Sequence, residues 1–133
     1  MTRARASEIT VESIRTLVNT FYGKIQQDPE LGPIFDRVVG QSAGGWPPHL
    51  DKMTAFWSAV LLGIHGFEGN PRLAHARIHD LEPRHFSRWL ALFQREAFEV
   101  FEPEPADEIV TRAQMMGVHL SQAAFAARAA GRV

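Results

Sequence analysis

The chain has 133 residues, 45% of them hydrophobic, with a formal net charge of −1 at pH 7 and no cysteine. That length suits one domain around a single core, and the near-neutral balance gives no reason to expect a nucleic-acid partner. The missing cysteine excludes disulfides, iron–sulfur clusters, a thiol nucleophile and any cofactor attached through a thiolate or thioether.

The first six residues, Met1-Thr2-Arg3-Ala4-Arg5-Ala6, carry arginines with no apolar stretch behind them, unlike a secretion signal. They are expected to form a disordered extension of a single domain spanning 1–133. No apolar run approaches the roughly 18 residues that span a bilayer, so a cytoplasmic location without a membrane partner is expected. Helical spacing begins at about Thr10, a plausible N-cap, and runs to Gln27. Ile14, Leu17, Val18, Phe21 and Ile25 recur on one face, with Tyr22 one turn beyond Val18. Asp28-Pro29 and Gly32-Pro33 interrupt it, Ile34-Phe35 reads as a short turn, and Gly40 to Gly45 as a loop with Trp46 as its anchor. Pro47-Pro48 suits the first turn of a second helix reaching about Ile64. Its inward stripe is His49, Met53, Phe56, Val60 and Ile64, flanked by Leu50, Trp57 and Leu61. A short helix from Pro71 to about Ile78 carries His75. Pro83 opens a third long helix to about Phe101, with Phe86, Trp89, Phe93, Ala97 and Val100 inward. Glu102-Pro103-Glu104-Pro105 predicts a tight turn before a last helix from about Ala106 to Ala130. No stretch shows strand alternation, so the fold class is all-α.

Six histidines are present. A neutral imidazole projecting from a short element into an apolar slot suits an iron ligand, and His75 meets that description. His79 lies one turn later on the same face, and an i, i+4 pair can also hold zinc with help from Asp80 or Glu82. By residue type alone, His75 is more often a surface or capping residue, Tyr22 a core tyrosine, and Trp89 and Trp57 packing. His49 is either a solvated helix-start residue or a gate. Arg72 and Arg77 flank His75 as candidate partners for acidic groups of a cofactor.

The order of the motifs narrows these alternatives. Phe21-Tyr22, Leu31-Gly32-Pro33-Ile34-Phe35, Trp46-x-x-His49, Phe56-Trp57, Leu61-Leu62-Gly63, Gly69-Asn70-Pro71, His75 and His85-Phe86-x-x-Trp89-Leu90 succeed one another. Together they resemble the truncated haemoglobins, specifically group III, over about 7–124. The resemblance implies a two-over-two helical sandwich around one haem b, with His75 as the proximal iron ligand. It implies Tyr22 and Trp89 as ligand-stabilising donors on the opposite face and His49 as the distal gate. Met53 then stands one turn further along, and Phe35 is wedged at the haem edge. Phe21, Phe56, Trp57, Ile78 and Phe86 are the expected walls. The expected ligand is dioxygen, nitric oxide or carbon monoxide, and the expected assembly a monomer or weak dimer. The alternative is a redox enzyme, a nitric oxide dioxygenase or peroxidase fed by an external reductase. A cofactor-free helical interaction protein is the third class.

Overall fold

The computed structural model describes residues 4–78 and 80–131. Six α-helices and one π-helical stretch make up its regular structure. Helix α1 (Val11–Gln27) starts at a reciprocal cap. The Ser13 N–H donates to the Thr10 hydroxyl at 3.1 Å, and the Thr10 N–H donates to Ser13 Oγ at 2.8 Å. Each bond satisfies an N–H that the helix itself leaves unpaired. The buried face is the expected one: Ile14, Leu17, Val18, Phe21, Tyr22 and Ile25.

Beyond Asp28 the chain departs from expectation. Instead of a short turn, residues 31–40 are helical: α2 (Leu31–Phe35) runs into the π-helical stretch Asp36–Gly40. The Asp28 carboxylate starts this unit by accepting the N–H groups of Glu30 (3.1 Å) and Leu31 (2.9 Å). The loop is thereby confined to the residues before Trp46, where Gly44 and Gly45 both take positive φ.

Helix α3 (Trp46–Leu62) has Pro47 and Pro48 in its first turn, where a missing N–H costs nothing. It stops at Gly63, whose φ of 69° is the left-handed geometry of a helix C-cap. Ile64 therefore leaves the expected stripe and is 44% exposed. Helix α4 (Pro71–Ala76) ends two residues before Ile78, and Asn70 caps it by accepting the Leu73 N–H at 3.1 Å. Helix α5 spans Pro83–Val100. Helix α6 (Pro103–Ala129) starts three residues earlier than Ala106. Pro103 and Pro105 sit inside its first turn rather than in a preceding tight turn, because those positions need no donor.

Helix α1 packs on α3 and on α5, while α6 packs on α5 and α4. This makes two helix pairs, α1/α3 and α5/α6, joined through the α1–α5 contact. Phe21, Phe93 and Phe101 are the largest fully enclosed side chains. Ala6 pairs with the junction of α5 and α6. Its N–H donates to the Val100 carbonyl at 2.8 Å, and its carbonyl accepts the Glu102 N–H at 2.9 Å. Residues 1–3 lie outside the described residues.

Candidate functional site

A cavity of about 300 Å³ opens between the two helix pairs. Helix α1 contributes Tyr22, α3 contributes His49, Met53, Phe56 and Trp57, and Phe35 comes from the end of α2. His75 of α4, Ile78, and Phe86 and Trp89 of α5 line the same cavity. Ten of the residues singled out in the sequence thus converge on one space.

Three do not. Phe21 is buried behind the wall, edge-on to Tyr22 (4.9 Å between ring centroids) and to Trp89 (5.1 Å). Arg77 is exposed and absent from the cavity lining. Arg72 lies on a neighbouring open cleft with Arg112 and His119. His79 and its zinc alternative lie outside the described residues.

The structure also adds residues. Lys52, Phe67, His85 and Leu81 line the cavity, as do Ala113, Met116, Gly117 and Leu120 of α6. Lys52 was within reach of sequence reasoning, because it stands three residues from His49 and four from Phe56 on the same helix. Phe67 was not, since it sits in a glycine-punctuated connection with no periodicity. Trp46 is more than a loop anchor: as the first residue of α3 it packs 5.8 Å from Tyr22 and 5.7 Å from His49.

Two imidazoles define the chemistry. His75 Nδ1–H donates to the Pro71 carbonyl at 2.6 Å, which leaves Nε2 with its lone pair. Burial pushes the His75 pKa down against the pull of that hydrogen bond, so the ring is neutral at pH 7. His49 stands perpendicular to the Tyr22 ring at 5.1 Å. Burial, and then the Lys52 charge, lower the His49 pKa to about 4. Its Nε2 is buried without a hydrogen-bond partner. Burial also drives the Tyr22 phenol upward, so it keeps its proton; the influence of the neighbouring Trp89 indole, which lowers it, is the smaller of the two.

No protein-family model matches the chain. The group 3 truncated haemoglobin ctb of Campylobacter jejuni is 36% identical over 111 residues, which is 84% of this chain and 87% of that protein. This chain belongs to the group 3 truncated haemoglobins. The crystal structure of the group III truncated haemoglobin from Campylobacter jejuni matches with a TM-score of 0.84 at 34% identity. The match covers 90% of this chain and 94% of that one.

Membership of the truncated haemoglobins implies haem, and the donor set here fits it. A histidine whose Nδ1–H is occupied by a backbone carbonyl is the usual arrangement of a metal-ligating imidazole. The facing His49 Nε2 is an orphaned polar atom, costly to bury unless something fills the space beside it. The cavity walls are mostly apolar, as a porphyrin face requires.

Proposed function

We propose that this chain binds haem b through His75 and captures a diatomic gas, dioxygen, nitric oxide or carbon monoxide. The observation that carries the reading is the Pro71 carbonyl 2.6 Å from His75 Nδ1: it leaves Nε2 as the coordinating atom of a ring that lines the same cavity as a phenol and an indole that can donate. Bound haem supplies one iron site for the gas. The protein's own groups then act on what is captured there.

Tyr22 O–H and Trp89 N–H stabilise partial negative charge on the outer atom of a polar ligand. Charge-assisted bonds of this kind contribute about 1.5–3 kcal/mol each, so two that act additively slow release by about two decades or more. Slow dioxygen release suits retention or turnover better than bulk transport. His49 and Met53 bound the space above the ligand, with Phe35 at the cofactor edge and Phe56, Trp57, Ile78 and Phe86 as walls. Lys52 takes the propionate role first considered for Arg72 and Arg77, because it alone of the three lines the cavity. Phe21 serves as backing for the two donors. No described helix is long and apolar enough to cross a membrane. A cytoplasmic monomer or weak dimer is the corresponding assembly, drawing on an external reductase if the iron is turned over.

Adding hemin to the purified chain tests the reading. A sharp Soret band at one equivalent, shifting on reduction and again under carbon monoxide, is expected. A chain that stays colourless overturns it.

A further inference from the structure

Phe93 is 1% exposed, and the reading above gives it no part. Its ring lies between two indoles. Trp89 stacks on it at 4.9 Å with 7° between planes, and Trp57 stacks on the other side at 5.0 Å and 19°. The edge of Phe21 meets Phe93 at 5.1 Å and 87°, and meets Trp89 at 5.1 Å and 81°. Three nearly parallel rings therefore run from α3 into α5. Trp57 and Trp89 line the cavity, while Phe93 does not.

An indole swings about two side-chain torsions, and the outer one has a broad, shallow preference. The direction of the Trp89 N–H therefore depends on what holds its plane. Here the plane is held by the Phe93 face and the Phe21 edge. Phe93 is in turn held against Trp57, on the helix that carries His49 and Met53. We propose that Phe93 is a positioning residue: it fixes the plane of the Trp89 indole, which lines the cavity together with Tyr22. In that role it sets how strongly the site prefers a polar gas to a less polar one. The inference rests on the haem reading, since it concerns a donor acting on a captured ligand.

A misaimed N–H weakens the hold on dioxygen, which carries charge on its outer atom, and leaves carbon monoxide almost untouched. Simple loosening of the core moves both alike. The test compares Phe93→Leu and Phe93→Met, which remove the ring, with Phe93→Tyr, which keeps it. Each haem-loaded protein is measured by stopped-flow release of both gases and by the infrared stretch of bound carbon monoxide. In the ring-removing variants the dioxygen off-rate is expected to rise about threefold or more, the loss of part of one charge-assisted bond. The carbon monoxide off-rate should stay within about twofold, and the stretching band should broaden or split. Phe93→Tyr should retain the wild-type band. If one ring-removing variant fails to fold, the other carries the comparison. Off-rates that rise together, or a stretching band unmoved in a folded, coloured variant, overturn the role of Phe93 alone. A wild-type protein that never takes up hemin overturns the haem reading, and this inference with it.

Discussion

Arg88 on α5 grips Asp28 at the end of α1, with Nε 3.0 and 2.8 Å from the two carboxylate oxygens and Nη2 2.7 Å from Oδ1. The same carboxylate accepts the Glu30 and Leu31 N–H groups. The Asp28 backbone N–H thus closes α1 on the Ile25 carbonyl, while its side chain opens α2 and fastens this junction to α5. Tyr22 rides on α1, and Trp89 follows Arg88 on α5, so this ion pair keeps the two proposed donors in register.

Asp28 should dominate the acid limb of stability. Its hydrogen bond from Arg88 first, and the two backbone N–H groups next, lower its carboxyl to about 2 against the opposing effect of burial. The stabilisation is complete above the unfolded value near pH 4 and is lost as pH falls toward 2. Asp28→Asn keeps an acceptor for the α2 cap but removes the charge. It should cost about 1–2 kcal/mol at pH 7 and flatten the pH dependence between about 4 and 2. Urea unfolding at pH 7 and pH 3 measures both; equal loss at the two pH values contradicts the assignment.

Tyr22→Phe removes one donor without changing the ring that packs against His49, Trp46 and Phe35. The dioxygen off-rate should rise about tenfold or more, the value of one charge-assisted hydrogen bond. Carbon monoxide release should change far less. Stopped-flow displacement reads both, and an unchanged dioxygen rate means that the phenol does not reach the ligand.

The parts of the fold that were legible in the sequence share a cause: each is announced by a residue with one physical job. Thr10 accepts an orphan N–H, and Pro47, Pro48 and Pro83 open helices where no donor is needed. The errors have equally local causes. A π-helical stretch over Asp36–Gly40 bonds at a longer interval than the 3.6-residue pattern used to find helices, so no apolar period marks it. Pro103 and Pro105 look like breakers in isolation, yet their placement in a first turn makes them starters. Tyr22, His49, His75 and Trp89, picked out by residue type and order, line one cavity. Arg72 and Arg77 were chosen for their nearness in sequence to His75; among the described residues Lys52, on α3, lines the cavity, and Arg72 lies on the adjoining cleft.

His75→Gly should abolish the wild-type ferrous spectrum after hemin is added, and free imidazole should restore it by filling the vacated space. The expectation follows from Nδ1 being occupied by Pro71, which leaves Nε2 as the ring's coordinating atom. Titration with imidazole under reducing conditions checks it. If His75→Gly keeps the wild-type spectrum and His79→Ala loses it, the iron ligand is the other histidine.

His49 predicts a second pH effect, in the cofactor-free chain. Its pKa falls to about 4 in the folded state, against about 6.5 unfolded. Between those values the unfolded chain binds a proton that the folded chain refuses, so stability declines as pH drops through this window. His49→Gln should lessen that slope, as read from denaturation midpoints at pH 7 and pH 5. A slope identical to wild type means that His49 titrates as if in water.

Gly32 sits where the chain turns from α1 into the unit carrying Phe35, and its N–H donates to the Asp28 carbonyl at 2.9 Å. A methyl group at this position would lie 2.9 Å from the Gln26 carbonyl oxygen and 3.3 Å from that of Ile25. Both obstacles are backbone at the end of α1, so neither can rotate away as a side-chain tip would. Gly32→Ala should therefore destabilise the fold by about 1–3 kcal/mol, the usual cost of overpacking, even though alanine is the better helix former by about 1 kcal/mol. The shift required moves α2 outward, and with it Ile34 and Phe35 on the cavity wall. Faster hemin loss to an apo-globin acceptor should therefore accompany the lower denaturation midpoint. A variant as stable as wild type would show that the α1–α2 junction yields without disturbing the site.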